Sequence, residues 1–189
     1  MKASFPLILA LAAGAALLSG CAAGSDKLHR IYLDLQRDVA EADPVKGPKR
    51  ELMARHVERA DKVRQLVERG QVRTAGDHLE AAVLLVETDR PADMQMAEEL
   101  ARKSAAMGDP HGLRVAAEAV DKGLMLTGKE QKYGTQYAFE WVLLSWRLYP
   151  CDPATTDGER ALMGVPTYAE LLRGEDELNR TTAMKLRPR

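Results

Sequence analysis

Apolar residues recur at helical spacing along most of the chain. In residues 26–42 they stand at i, i+3, i+4, i+7 and i+11, which brings them into one stripe on a helix. The links between such segments are short and carry Gly, Pro and Asp, which end one helix and start the next. The pattern therefore predicts antiparallel helical hairpins. The predicted helices cover residues 26–42, 49–69, 74–87, 91–107 and 110–126.

The second of these helices has one apolar side and one side of mixed charge. We expect the charged side to be solvated rather than a binding stripe, because its charges are mixed in sign. The side predicted to face the core consists of Leu52, Met53, Val57, Ala60, Val63 and Val67. The side predicted to be solvated consists of Arg50, Arg55, Glu58, Arg59, Lys62 and Arg64.

An apolar pattern of the third helix recurs in the fifth. The matched positions, each 34 residues apart, are Leu79, Ala82, Val83 and Val86 and then Leu113, Ala116, Ala117 and Val120. This period is that of tetratricopeptide repeats (TPR), which stack helix pairs into a concave binding surface. We therefore predict an all-α fold with a TPR-like repeat arrangement, in one helical domain over residues 26–180.

Aromatic residues gather in one segment, residues 137–149. The segment has no internal turn residue, so its pattern fits a short β-hairpin as well as one more helix. Two short helices are predicted after it, over residues 157–163 and 167–173. Residues 181–189 are polar and basic, and we expect them to form a flexible tail.

The N-terminus has the order of regions found in exported lipoproteins. Lys2 precedes an apolar stretch over residues 5–18, which is shorter than the ~20 residues that span a bilayer. Leu18-Ser19-Gly20-Cys21 then resembles the lipobox of bacterial lipoproteins. The resemblance implies a signal peptide over residues 1–20, cleavage between Gly20 and Cys21, and a lipidated N-terminus over residues 21–25. An ordinary secretory signal or an uncleaved anchor is the alternative.

Lipidation of Cys21 predicts where the protein resides. Bacterial lipoproteins carry about two or three fatty acyl chains such as palmitate, and two chains already anchor stably. Ala22, rather than Asp, follows Cys21, which by resemblance to enterobacterial sorting favours the outer membrane over the inner one. We therefore expect a lipid-anchored protein of the cell envelope that faces the periplasm.

Charge is nearly balanced once the signal peptide is removed. Of the 27 basic residues only Lys2 is lost, so 26 basic and 28 acidic side chains remain. Nucleic acid is disfavoured as a partner, because its binding needs clustered Lys and Arg. Cys151 is the only other cysteine, so lipidation of Cys21 excludes an intramolecular disulfide. We expect Cys151 to be a small buried residue, with a nucleophile or a link to a partner as alternatives.

Several segments in the middle of the chain resemble one bacterial family. They are residues 74–82, residues 97–101, Asp121-Lys122-Gly123-Leu124-Met125 and Gly128-Lys129-Glu130-Gln131-Lys132-Tyr133-Gly134-Thr135-Gln136. Over residues 70–174 the series resembles a helical domain of unknown function, the DUF6624-like group with a Q-x-Y-G-T-Q signature. This implies a helical fold and no assigned activity. The departures are acidic or polar residues where the family has His (Glu80, Glu87 or Thr88, and Glu98) and Lys122 where it has Arg.

The element from Gln131 to Gln136 is the best candidate for a site. In one interpretation its amide and hydroxyl groups orient a polar ligand beside two carboxylates. In the other it is a buried, hydrogen-bonded turn in which Gly134 supplies a backbone conformation that other residues resist. The candidate polar residues are Asp77, Asp121, Gln131, Tyr133, Gly134, Thr135 and Gln136.

No catalytic, metal or cofactor motif stands out in the rest of the sequence. The histidines (His29, His56, His78 and His111) lie on separate predicted helices without zinc-ligand spacing. A Gly-rich phosphate loop and a G-x-S-x-G elbow are also absent from the sequence. We therefore predict no catalytic residue, no metal and no cofactor.

These features favour a membrane-tethered domain of protein-interaction or scaffold type, with an envelope protein as its partner. One alternative is a hydrolase-like enzyme that uses Asp77, Asp121 and the loop over residues 133–136. Another is a binder of small polar ligands or cell-wall fragments that uses the same residues without chemistry.

Overall fold

A computed structural model describes residues 4–6, 22–41 and 50–186. In these ranges the helices are α1 (Ala22–Glu41), α2 (Arg50–Glu68), α3 (Ala75–Val86), α4 (Pro91–Ala106), α5 (Gly112–Leu126), α6 (Asp157–Leu162) and α7 (Tyr168–Leu186). The strands are β1 (Ser4–Pro6), β2 (Gln136–Glu140) and β3 (Ser145–Leu148). The predicted helical fold is confirmed, and of the two alternatives for residues 137–149 the structure has the β-hairpin. None of the helices in the described ranges has the length and apolarity that crossing a bilayer demands.

The predicted processing site cannot be compared with this structure. Gly20 and Cys21 lie outside the described residues, as does most of the predicted signal peptide. The described chain resumes at Ala22, which is already the first residue of α1. The helix thus begins before residue 26, where the sequence pattern placed its start.

Local sequence signals mark the starts of α3, α4 and α6. The Thr74 side chain accepts a hydrogen bond from the Asp77 amide, and the Asp77 carboxylate accepts one from the Thr74 amide, so α3 opens with a capping box. Thr156 and Glu159 form the same box at α6. Pro91 is the first residue of α4, where its missing N–H is not needed.

The core is centred on the alanine-rich faces of α3, α4 and α5. Small side chains allow these helices to pack closely, because interaxial distance depends on side-chain size at the contact. α1 and α2 pack on α3 and bury their own leucines against the same core. The central alanines, all fully buried, are Ala81, Ala82, Ala97, Ala101, Ala116 and Ala117.

The buried side of α2 differs from the predicted one. It consists of His56, Arg59, Ala60, Val63 and Leu66, whereas Val57 is exposed. The prediction that Arg59 is solvated is wrong, because its guanidinium pairs with Asp38 of α1. A charge that is paired and hydrogen-bonded can be buried at a tolerable cost.

Residues 137–149 form a β-hairpin rather than a helix. β2 and β3 are antiparallel, with Tyr137 opposite Leu148 and Phe139 opposite Trp146. Tyr137, Phe139 and Trp146 form a second buried cluster, against which Leu178 of α7 packs. β1 pairs antiparallel with β2, so that β2 is the central strand of a three-stranded sheet in the full chain. β1 lies within the predicted signal peptide, so a chain cleaved after Gly20 keeps only the hairpin of β2 and β3.

α7 is longer than the predicted helix over residues 167–173. The Asn179 side chain accepts a hydrogen bond from the Trp146 amide and donates one to the Trp146 carbonyl. The Thr182 hydroxyl accepts a hydrogen bond from the Trp146 indole. Residues 181–186 are therefore helical, not the loose segment expected from the sequence, because α7 packs along β3. Residues 187–189 of the predicted tail lie outside the described residues.

Candidate functional site

Asp121, near the end of α5, organises the loop that carries the candidate polar residues. Its Oδ1 accepts hydrogen bonds from the amides of Lys132 and Tyr133, at 2.7 and 2.8 Å. Its Oδ2 accepts bonds from the amide of Gly134 and from the amide and hydroxyl of Thr135, each at 2.9 Å. One fully buried carboxylate thus fixes four consecutive loop residues.

The hydrogen-bonding capacity of Asp121 is used up by this loop. An ionised carboxylate offers about four lone-pair positions, and the five donors above fill them. Burial raises the pKa of Asp121, while the hydrogen bonds from Tyr133 and Thr135 oppose that rise. Because all its partners are donors, the loop holds Asp121 as an acceptor and leaves no free position for a ligand.

Gln131 closes the base of the same loop. Its Nε2 donates to the carbonyls of Gln136 and Tyr149, at 3.0 and 2.7 Å, and its Oε1 accepts the Gln136 amide at 2.8 Å. Its backbone also bonds to Pro150 and Asp152. The side chain therefore joins the start of β2 to the segment after β3, which is a structural role.

Gly134 meets a steric requirement at the centre of the loop. Its φ is +96°, a left-handed conformation that favours glycine. A Cβ at this position would come within 2.4 Å of Cδ1 of Leu171 in α7. The neighbouring Tyr133 carbonyl accepts a hydrogen bond from the buried Arg160 at 3.0 Å. The loop is thus enclosed by α6 and α7.

Gln136 retains one unused group. Its Nε2 donates to the Thr135 hydroxyl at 3.0 Å and to the Glu118 carbonyl at 3.5 Å. Its Oε1 is buried and has no hydrogen-bond partner among the described residues. Apart from this oxygen, the predicted polar element satisfies its own hydrogen bonds.

Asp77 lies in a different setting from Asp121. It accepts hydrogen bonds from the Ser25 hydroxyl and from the amides of Arg73 and Thr74. Burial opposes ionisation, but these bonds hold the pKa of Asp77 below its ordinary value. Its partners and those of Asp121 have no residue in common. Asp77 caps α3 and ties it to α1, and its hydrogen-bond partners lie outside the Gln131 loop.

Cys151 has the character of an inert thiol. It is partly buried, and its Sγ donates to the Tyr149 carbonyl at 3.4 Å. Burial raises the pKa of Cys151 to about 11, and the nearby Asp121 charge adds to the rise. Since the thiolate is the nucleophile, a protonated Cys151 is unsuited to that role.

A buried charged cluster that the sequence did not predict joins α2, α3 and α5. It contains His56 and Arg59 of α2, Glu87 at the C-cap of α3, and Lys122 of α5. Nδ1 of His56 lies 4.0 Å from Oε2 of Glu87. Nζ of Lys122 donates to the Val86 carbonyl at 2.7 Å. All four charged or polar side chains are buried.

Burial shifts the pKa values of His56 and Glu87 in opposite directions. Burial, together with the charges of Arg59 and Lys122, lowers the pKa of His56 to about 4. It raises the pKa of Glu87 to about 7, against the opposing effect of Lys122. Nδ1 of His56 and Nη1 of Arg59 have no hydrogen-bond partner among the described residues. At neutral pH the His56 ring is therefore uncharged and Glu87 is partly protonated.

Only a weak sequence signal marks this cluster. His56 and Arg59 precede Ala60 and Val63 at spacings that put all four on one helical face, yet Arg59 was assigned to the solvated side and His56 to neither side. Glu87 and Lys122 lie on other helices, 31 and 66 residues after His56. Their meeting depends on how α2 packs across α3 and α5, which local patterns do not specify.

The histidines are dispersed in the fold as they are in the sequence. Nδ1 of His29 lies 2.6 Å from Oε1 of Glu80, and Nδ1 of His78 lies 2.7 Å from the Thr74 carbonyl oxygen. His111 is at the N-cap of α5. In the part of the chain that the structure describes, no three His, Cys, Asp or Glu residues group closely enough to hold a metal ion.

Comparison with known proteins gives no relative for this chain. No protein-family model matches it, and no match was found among curated proteins or solved structures. The resemblance to the DUF6624-like group therefore stays a prediction from the residues quoted above.

Proposed function

We propose that this protein is a lipid-anchored component of the bacterial envelope whose helical domain binds a protein partner as a scaffold or accessory factor. The observation that carries the proposal is the order of Lys2, the apolar stretch over residues 5–18 and Leu18-Ser19-Gly20-Cys21. The lipid on Cys21 holds the domain on the periplasmic side, with the outer membrane as the favoured location. α1 begins at Ala22, so the helical domain starts directly after the anchor.

The state of the candidate polar residues supports an interaction domain over an enzyme. A general acid or base needs a free position within hydrogen-bond reach of its substrate. The carboxylate of Asp121 has none, because loop donors fill its acceptor positions. Asp77 is occupied as a helix cap. The hydrolase-like and ligand-binding alternatives thus lose the groups on which they depend.

We further propose that α3, α4 and α5 form a TPR-like unit that presents a surface to the partner. Supporting this, the matched positions Ala82 and Ala116 are both fully buried, on α3 and α5. α4 packs against both helices, as the second helix of a repeat would. In this proposal α5 is the first helix of a second, incomplete repeat.

Metabolic labelling of the full chain with radioactive palmitate tests the anchor. We expect label on the wild type and on Cys151→Ser, which is the matched control because it removes the other cysteine. Cys21→Ser should carry no label and accumulate as an uncleaved precursor. Normal processing of Cys21→Ser, or label that depends on Cys151, would refute lipidation at Cys21.

Crosslinking in intact envelopes tests the scaffold role. The anchored protein, crosslinked in its own host and purified under denaturing conditions, should carry one reproducible protein adduct. The adduct should be lost when exposed residues of the α3–α5 unit, such as Leu113, are replaced by Asp. An absence of adducts at several crosslinker lengths would argue against a scaffold while leaving the anchor unaffected.

A further inference from the structure

The outer edge of β3 is covered by side chains of α7. The Asn179 side chain accepts a hydrogen bond from the Trp146 amide at 2.6 Å and donates one to the Trp146 carbonyl at 3.0 Å. The Glu175 carboxylate accepts a bond from the Leu148 amide at 2.7 Å. These are the backbone groups of β3 that point away from β2. α7 therefore closes this edge of the hairpin to another strand.

The outer edge of β2 is covered by a strand instead. The Tyr149 amide donates to the Gln136 carbonyl across the hairpin, so the backbone groups of Gln136 face β3. Because these groups alternate in direction along a strand, those of Tyr137 and Phe139 face the other edge. At that edge β1 pairs antiparallel with β2 and places Phe5 opposite Tyr137.

The position of a proline in β1 agrees with this pairing. Pro6 stands opposite Gln136, whose backbone faces β3, so the N–H that proline lacks is not needed there. Phe5 is then the residue of β1 that exchanges both main-chain hydrogen bonds with Tyr137. The edge of β2 thus accepts a short extended segment through main-chain groups.

Removal of the signal peptide would open this edge. β1 lies within residues 1–20, so a chain cleaved after Gly20 loses the strand that faces Tyr137 and Phe139. Native sheets usually protect such an edge with Pro, Lys or a covering element, and β2 contains neither Pro nor Lys. One closed edge and one open edge on the same hairpin favour the addition of a strand beside β2.

The side chains of β2 indicate the chemistry of the segment that fits there. Tyr137 and Phe139 belong to the buried aromatic cluster with Trp146, against which Leu178 of α7 packs. Residues directly opposite each other in an antiparallel pair lie on the same face of the sheet. An added strand would therefore place its residue opposite Tyr137 beside this cluster, where an apolar side chain is favoured. Phe5 holds that register position in β1.

We propose that the open edge of β2 binds an extended segment of a protein partner, antiparallel to β2 and with an apolar residue opposite Tyr137. In this mode of recognition main-chain hydrogen bonds provide affinity, and side-chain contacts provide specificity. The contact rests on the proposed function, since only cleavage after Gly20 removes β1. It adds to that function the kind of segment that the partner must present.

A titration of the chain over residues 22–189, followed by nuclear magnetic resonance, tests the open edge. This chain lacks Cys21 and all of the signal peptide, so the outcome is independent of processing and lipidation in the cell. The described members of both hydrophobic clusters begin at Leu28, so the chain keeps them whole. Circular dichroism verifies its helix content.

The probe is an acetylated synthetic peptide of residues 1–8, which contains β1. We expect the peptide to cause saturable shifts of the amide signals of Tyr137 and Phe139. The Ala138 amide faces β3, so its signal should shift less. This alternation from one residue to the next distinguishes an added strand from nonspecific adhesion.

Modified peptides separate main-chain pairing from side-chain contacts. A methyl group on the Phe5 nitrogen removes the donor that faces Tyr137, and we expect it to weaken binding at least ~10-fold. The matched control carries the methyl group on the Ser4 nitrogen, which points away from β2, and should bind within about threefold of the unmodified peptide. Phe5→Asp should also weaken binding at least ~10-fold, because it puts a charge beside the aromatic cluster.

Several results would overturn the proposal. The signals of β2 and β3 could lack the dispersion of a folded hairpin when β1 is absent, or the peptide could cause no shifts at millimolar concentration. The two methylated peptides could bind equally, which would exclude main-chain pairing. The signals of Tyr137 and Phe139 could shift with protein concentration alone, which would make the edge a contact with a second copy of this chain. A failure of palmitate labelling at Cys21, by contrast, would refute the anchor and leave the peptide result unchanged.

Discussion

Burial shifts the pKa values of His56 and Glu87 so that both side chains are mainly uncharged between pH 4.5 and 6.5. In the folded protein the pKa of His56 is about 4 and that of Glu87 about 7, against ordinary values of 6.5 and 4.5. Between pH 4.5 and 6.5 the folded pair carries its proton mainly on Glu87. In the unfolded chain, over the same range, the proton is mainly on His56. The pair therefore binds nearly the same number of protons in both states.

This balance predicts how single replacements change the dependence of stability on pH. The stability contributed by His56 is present above pH 6.5 and is lost as the pH falls through 4. The stability contributed by Glu87 is present below pH 4.5 and is lost as the pH rises through 7. Between pH 4.5 and 6.5 the two contributions to stability therefore change in opposite directions with pH. Glu87→Gln removes the contribution of Glu87 and keeps that of His56. The free energy of unfolding of this variant should therefore rise with increasing pH, by up to ~1.4 kcal/mol per pH unit relative to the wild type.

His56→Gln should give the opposite slope, with stability falling as the pH rises from 4.5 to 6.5. Urea unfolding at several pH values measures both. The surrounding charges (Arg55, Arg59, Asp38, Lys122, Glu118 and Asp89) are the same in all variants, so only slope differences from the wild type are compared. If the free energies of unfolding of the two variants had the same slope against pH, the proton would not move from His56 to Glu87 on folding.

At the scale of single residues, the sequence identified Asp121 and the Gln131–Gln136 element but not the direction of their hydrogen bonds. A carboxylate beside a run of amides and hydroxyls fits a ligand pocket as well as a closed turn. The choice depends on whether the backbone amides of residues 132–135 point at Asp121, which they do. That geometry arises from the left-handed conformation at Gly134, and a lone glycine in a sequence does not reveal its φ.

At the scale of elements, periodicity predicted the existence of α1 to α5 and placed most of their ends closely. Caps such as Thr74 and Pro91 are local signals, so their effects are visible in the sequence. The rotation of α2 was not visible, because it depends on the ion pair between Arg59 and Asp38 across two helices. The length of α7 depends in the same way on its contacts with β3, through Asn179 and Thr182.

Gly134 provides the element-scale test of the loop. Gly134→Ala should lower the free energy of unfolding by more than ~1 kcal/mol, because alanine disfavours a φ of +96° and its Cβ would overlap Leu171. Gly76→Ala is the matched control: a Cβ there meets only Thr74 Oγ1, at 3.9 Å, within α3. That variant should gain up to ~1 kcal/mol from helix propensity.

Urea unfolding monitored by circular dichroism compares the two variants at one pH. Equal effects of Gly134→Ala and Gly76→Ala would show that the loop adapts to a side chain. In that case the enclosed geometry around Asp121 would not be rigid, and the polar ligand-binding alternative for this element would regain support.

At the scale of the whole molecule, most buried apolar side chains of the described residues belong to two clusters. The larger spans α1 to α5 and reaches Leu171 of α7, while the smaller is formed, among the residues that the structure describes, by Tyr137, Phe139 and Trp146 with their neighbours. Leu148 packs against both, and the Tyr137 hydroxyl donates to the Leu171 carbonyl. The hairpin and the outer part of α7 therefore form a small unit on the helical domain, with few apolar contacts joining the two.

This division predicts that the hairpin and α7 open locally before the domain unfolds. Phe139→Ala should remove about 3–5 kcal/mol of packing from the smaller cluster. Hydrogen exchange measured by mass spectrometry should then accelerate in β2, β3 and α7, with little change in α3 and α4. Leu84→Ala, in the larger cluster, is the control and should accelerate exchange in α3 to α5. Uniform acceleration in both variants would mean that the molecule unfolds as one unit, and the hairpin of β2 and β3 would then be as stable as the core.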